Sequence, residues 1–162
     1  MGFYHVAQVC LNGHMVNDSF DKYPEQNQKF CSKCGLETIT TCPNCRSNIR
    51  GDYEVPSVCC FGHVKTPDAY CYNCGKPYPW TEKALNSAKA LIEEDELLNP
   101  DEKEQLSATL SELIVKSPTP STQLAVSRFK RFILKASKPT GEAVKSIIAD
   151  IASEAIIKCL GM

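Results

Sequence analysis

The sequence predicts an α+β chain of two unlike modules, a small amino-terminal one of short hairpins (residues 1–80) and a carboxy-terminal bundle of about four α-helices (residues 81–162). Three observations predict it. Nine of the ten cysteines lie between Cys10 and Cys74, and only Cys159 follows. Six of the nine form C-x-x-C pairs, Cys31/Cys34, Cys42/Cys45 and Cys71/Cys74. Beyond Trp80 the apolar residues recur at helical spacing instead.

The first 81 residues hold seven basic and seven acidic side chains and few aliphatic ones, too little apolar surface for a self-sufficient core of that size. Something must staple them. The opening MGFYHVAQVC has neither a charged n-region nor an apolar run, so no secretory signal is expected and a reduced, cytoplasmic setting is. There, repeated C-x-x-C pairs read as metal knuckles rather than disulfides. In a knuckle two thiolates converge on one ion at about 2.3 Å, with backbone N–H groups aimed at the sulfurs. Gly35 and Gly75, each directly after a second cysteine, suit the positive φ common at that place. Pro43 fixes the turn of CPNC from inside.

With Cys10 and His14 of C-L-N-G-H as a further half-site, four half-sites make two whole ones. The preferred pairing is Cys10, His14, Cys31 and Cys34 for site one, and Cys42, Cys45, Cys71 and Cys74 for site two, with 16 and 25 residues between the half-sites. Two rivals stand beside it. Cys31, Cys34, Cys42 and Cys45 could close on themselves, which leaves Cys10 and His14 to reach a distant knuckle. An internal echo, VCLNGHM…FCSKCG against VCCFGHV…YCYNCG, would pair Cys59 and His63 with Cys71 and Cys74 and orphan Cys42 and Cys45. Under the preferred pairing LETITT is a strand between back-to-back ribbons, since Thr38, Ile39 and Thr40 are strand formers. Two zinc ions per chain, Zn2+, then supply folding free energy on the order of 10 kcal/mol each. The architecture is a double zinc ribbon followed by a helical bundle.

The segments HVAQVCLNGH, KFCSKCG…TITTCPNC…IRGDY and YCYNCGKPYPWTEKAL together resemble a bacterial family of uncharacterised double-zinc-ribbon proteins. The resemblance implies a cytoplasmic bacterial protein with paired knuckles and carries no established activity with it. Cys59, Cys60 and His63 stand outside the family's pattern.

PYPWTEKAL opens the helical half, with Thr81 as a cap and Glu82 in the first turn of a helix near 82–98. Asn99-Pro100-Asp101-Glu102 supplies a cap, an N1 proline and acids for the second. SPTPST launches the third, near 120–137, with Leu124, Ala125, Phe129, Phe132, Ile133 and Ala136 inward. Pro139 and Thr140 open a fourth, whose face runs through Val144, Ile147, Ile148, Ile151, Ala155, Ile156 and Cys159. That face is wide enough to predict a homodimer, and Cys159 reads as a small buried apolar residue. Arg128, Arg131, Lys135 and Lys138, at i, i+3, i+7 and i+10, form a possible phosphate-binding stripe, against which stands neutralisation by the acids of the first helical hairpin. Tyr70, Tyr72, Tyr78 and Trp80 could stack on bases, although aromatics beside a knuckle more often pack the ribbon.

No phosphate-binding loop, nucleophile elbow or HExxH motif occurs, and sites closed by four ligands are structural. The most apolar stretch, Ile147–Leu160, carries Asp150, Ser153, Glu154 and Lys158 and predicts no membrane span. The chain therefore reads as a non-catalytic zinc-binding adapter for a protein or nucleic-acid partner. The alternative is thiol redox or zinc-transfer chemistry at Cys59, Cys60 and His63.

Overall fold

The computed structural model describes residues 1–56, 66–115 and 117–162. These form two compact units, Met1–Thr81 and Glu82–Met162.

Among the described residues the first unit holds five short strands. β1 (Phe3–Val6) pairs antiparallel with β5 (Arg50–Glu54). β2 (Gln8–Cys10) lies between β3 (Met15–Asn17) and β4 (Thr38–Ile39). The strand within LETITT is thus two residues, Thr38 and Ile39, with Cys10 opposite Thr38. Ala7, Val9, Cys42, Ile49, Cys71, Tyr78 and Trp80 form one buried cluster, with Met15, Ile39 and Cys45 at its margin. Two of its seven members are thiols, Cys42 and Cys71, and Cys45 packs against it, so this core is continuous with one cluster of cysteines. Gly51 is obligatory where β5 crosses the loop after β3, because a Cβ there would lie 1.9 Å from the Asp18 carbonyl oxygen.

A polar clasp holds the β1–β5 pair. The buried His5 bonds Asp21 through Nδ1 at 2.9 Å and Glu54 through Nε2 at 2.9 Å. Lys22 shares Glu54. Burial opposes a charge on the imidazole, but the two carboxylates outweigh it and raise the His5 pKa.

In the second unit α1 (Pro79–Glu93), which crosses the boundary between the units, is followed by α2 (Pro100–Glu112), α3 (Pro120–Lys135), α4 (Lys138–Ile151) and α5 (Glu154–Leu160). α1 begins with Pro79 at its first position rather than after a Thr81 cap. Asn99 caps α2 in a reciprocal box with Glu102, as its sequence predicts. The single fourth helix is two. The backbone is extended at Ala152 and Ser153, and Ser153 donates to the Val115 carbonyl at 2.8 Å, which offers the chain a partner outside the helix. Cys159 is exposed. Leu124 is also exposed, whereas Thr122 takes an inward position beside Ala125, Val126, Phe129, Phe132 and Ile133. Asp95 is buried between α1 and α2. Its carboxylate accepts from the N–H groups of Leu97, Leu98 and Ser137, and these bonds tie the α1–α2 turn to the start of α4.

Candidate metal centres

All three C-x-x-C segments fold into the same turn, and the reason is local. The N–H of the residue after the second cysteine returns to the carbonyl of the first, Gly35 to Cys31 at 2.7 Å, Arg46 to Cys42 at 2.9 Å and Gly75 to Cys71 at 2.9 Å. That residue has positive φ each time, +73°, +61° and +69°. Glycine accepts this conformation without strain, and Arg46 adopts it at some cost. The residue before each pair then bridges the one seven further on: Phe30 to Glu37, Thr41 to Asn48, Tyr70 to Pro77. Cys10 and His14 use a different turn. Gly13, at φ +84°, lies against the Trp80 side chain, and the His14 N–H donates to Cys10 Sγ at 3.3 Å.

These turns gather their side chains into two groups, Cys10, His14, Cys31 and Cys34, and Cys42, Cys45, Cys71 and Cys74, with all ligand atoms of a group within 4.8 Å of one another. Cys31/Cys34 and Cys42/Cys45 thus fall in different groups. A tetrahedral ion bound to sulfur at about 2.3 Å and to nitrogen at about 2.0–2.1 Å sets S···S edges of about 3.8 Å and S···N edges of about 3.5 Å. In the first group Cys10 Sγ lies 3.7 Å from Cys34 Sγ and 3.5 Å from His14 Nδ1, and Cys31 Sγ lies 3.6 Å from that nitrogen. In the second, Cys42 and Cys74 are 3.8 Å apart and Cys45 and Cys71 3.6 Å. Both donor sets have the dimensions of a small tetrahedral cation's first coordination shell.

The electrostatics agree. Burial raises the Cys31 thiol, but the N–H groups of Lys33 and Cys34 and the His14 ring outweigh it and bring it to about 6. Burial likewise opposes ionisation of Cys71, which Ser47, the N–H groups of Cys74 and Asn73, and Cys45 lower to about 5. Cys74 receives help from the Lys76 N–H, yet partial burial and the crowd of Cys45, Cys71 and Cys42 push it up to about 11. One thiolate forms readily and suppresses the next. A divalent cation removes that conflict and lets all ligands ionise together.

Sequence reasoning did not find the shell around the second group. The Ser47 hydroxyl lies 3.1 Å from Cys45 Sγ and 3.3 Å from Cys71 Sγ. The Tyr78 hydroxyl bonds Cys71, and burial with this neighbour raises its pKa. Such outer partners orient metal ligands. Their signal was positional: Ser47 is two residues past a knuckle and Tyr78 seven past Cys71. Tyr78 stacks on Trp80 at 4.6 Å with both buried, the packing role expected of aromatics at a knuckle, whereas Tyr72 is exposed.

The model of a family described as an uncharacterized protein conserved in bacteria (DUF2321) matches residues 3–160. The chain belongs to this family. No curated protein and no solved structure matches it. No helix among the described residues is long and apolar enough to cross a membrane.

Cys59, Cys60 and His63 lie outside the described residues. The basic stripe is not one helical face. α3 ends at Lys135 and Lys138 opens α4, because Ala136 takes an extended conformation. Lys135 pairs with Glu102 at 2.5 Å, and Lys138 lies 4.0 Å from Glu142. Arg131 stacks on the ring of Phe132.

Proposed function

We propose that this protein is a non-catalytic zinc adapter: two zinc ions, one in each four-ligand group, fix the 1–81 unit, which presents its surface to a macromolecular partner in the bacterial cytoplasm. The observation that carries the reading is the convergence of four soft donors in each group at tetrahedral edge lengths. Three cysteines with one histidine, and four cysteines, close the coordination sphere, whereas a catalytic zinc keeps a position for water or substrate. Ser47 and Tyr78 further occupy the thiolate lone pairs of the second group, which lowers their value as nucleophiles. Every cysteine among the described residues is a free thiol, in keeping with a reducing compartment.

The helical unit serves association. Ile156 is buried within its own chain, so a homodimer contact would use the half-buried Ile147 and Ile151 of α4. Light scattering that shows a 17.9 kDa monomer at all concentrations removes this part of the reading.

The central test is elemental analysis combined with thiol labelling of the loaded protein. Two zinc ions per chain and protected ligand cysteines are expected. One ion, iron in place of zinc, or rapid labelling of any ligand cysteine while metal is bound overturns it.

A further inference from the structure

His5 has a carboxylate at each ring nitrogen, and this arrangement fits one protonation state. Nδ1 lies 2.9 Å from Asp21 Oδ2, and Nε2 lies 2.9 Å from Glu54 Oε2. A neutral imidazole donates from one nitrogen and accepts at the other, so only the imidazolium donates to both. The residue is 6% exposed, which leaves water little room to replace a lost partner. Partial burial works against the Asp21 charge, but the Val6 N–H and His5 hold that carboxyl below its ordinary range, and Lys22 and His5 do the same for Glu54. Near neutral pH, then, neither carboxyl has a proton to give to a neutral ring.

The three groups come from three segments, His5 from β1, Glu54 from β5 and Asp21 from the turn after β3. Asp21 also accepts the Val6 N–H through Oδ1 at 2.8 Å, so one side chain holds both the ring and the backbone of β1. The ladder of β1 with β5 is irregular between Tyr4 and Val6. At His5, therefore, regular strand pairing is interrupted and side chains fasten the strand. Just beyond it the chain is anchored, because the Val6 carbonyl accepts from the Phe20 N–H at 2.8 Å and the Ala7 N–H donates to the Ile49 carbonyl at 2.8 Å. Residues 1–5 are the part that the clasp controls. The charged groups on the ring are Asp21 and Glu54; Lys22 meets Glu54 at the oxygen that His5 uses, and Phe3 offers the ring only an aromatic edge.

We propose that this clasp is a proton-operated latch: protonated His5 fastens β1 to β5 and to the turn after β3, and loss of the proton releases residues 1–5 from β5. In the neutral ring one nitrogen turns a lone pair toward a carboxylate oxygen, so a charge-assisted bond becomes acceptor against acceptor. Lys22 keeps Glu54 ionised and blocks relief by protonation of that carboxylate. Burial opposes the charge on His5, but Asp21 and Glu54 outweigh it and hold its pKa above the ordinary 6.5. A raised folded pKa places the latch's stability below the unfolded value of 6.5, and that stability is lost as pH rises through the folded value. The latch thus opens toward the alkaline side, in a range where few other side chains titrate. It depends on the fold of the first unit and not on the adapter reading.

NMR of the full metal-loaded chain between about pH 6 and 9 tests this, across the titration range of a histidine. The His5 ring resonances give its pKa, and hydrogen exchange of the β1 and β5 amides, corrected for the intrinsic rise of exchange with pH, reports the opening. Each unit by which the His5 pKa exceeds 6.5 is expected to appear as an about ten-fold loss of protection, complete above that pKa, while β2–β4 amides keep theirs. Glu54→Gln offers the neutral ring a donor in place of a carboxylate, so it should flatten the dependence, and His5→Gln should abolish it. A His5 pKa at or below 6.5, or protection that stays flat while the ring titrates, overturns the proposal without any variant. A fall that survives in His5→Gln, or that follows metal loss measured on the same samples instead of the titration of the ring, overturns it as well.

Discussion

Asp95→Asn removes one charge and almost no volume, and the geometry around it fixes the cost. Oδ1 accepts from Leu97 at 3.0 Å and Leu98 at 3.2 Å, and Oδ2 accepts from the Ser137 N–H at 2.9 Å. The amide can copy the Oδ1 half, but its NH2 then faces the Ser137 N–H, donor against donor. A bond to a charged acceptor contributes about 1.5–3 kcal/mol. The same hydrogen bonds set the ionisation of the carboxyl. Burial alone would raise this carboxyl, yet Ser137, Thr140 and the Leu97 N–H bring it from 3.8 to about 2, a shift equivalent to about 2 kcal/mol. For a unit of Glu82–Met162, a loss of about 2 kcal/mol lowers the melting midpoint by about 8–16 °C. The pH dependence has a definite sign. The folded pKa lies below the unfolded one, so this stability is present above the unfolded value and is lost as pH falls through the folded one. Helical circular dichroism melts of both proteins should show the full gap at pH 7 and a narrowing gap between about pH 4 and 2. Equal midpoints at pH 7, or a gap that does not change with acid, would refute the account.

Two further outcomes are expected. Cys42→Ser and Cys71→Ser should each cost one and the same metal ion by elemental analysis, their combination no more, and Cys31→Ser the other; a shared ion for Cys42 and Cys31 would contradict the grouping. Lys135→Glu replaces an attraction to Glu102 with a repulsion on a side chain 54% exposed, so it should lower the helical melting midpoint by only a few degrees, about 0.5–1 kcal/mol, and less at high salt. Midpoints that coincide at low salt would show the pair to be inert.

What the sequence disclosed was what lies close along the chain. The C-x-x-C turns, the glycines after two of them, the Asn99 cap and the Pro120 start are local patterns whose chemistry acts within four residues. The choice among three ligand groupings was not of this kind, because it rests on β2 meeting β4 and thereby setting Cys10 opposite Thr38. Ser47 beside Cys71, Asp95 beneath Ser137 and Arg50 between two tyrosines are likewise contacts between distant segments. The helical half misled where periodicity was ambiguous. Leu124 and Thr122 compete for one inward position and the hydroxyl wins, bonded to Thr119 at 2.9 Å. A continuous apolar run hid the extended step at Ala152 and Ser153.

The order of the ligands along the chain has a consequence in time. The first group is complete once residue 34 has emerged from a ribosome, whereas the second has only Cys42 and Cys45 until Cys71 and Cys74 follow. Between those moments β5 emerges and can fasten to β1, closing the hairpin before the last knuckle exists. Short loops close before long ones, so assembly runs from the amino end inward. During synthesis the Cys42–Cys45 pair therefore has the longest wait, and it is there that a competing metal or an oxidant finds its opportunity.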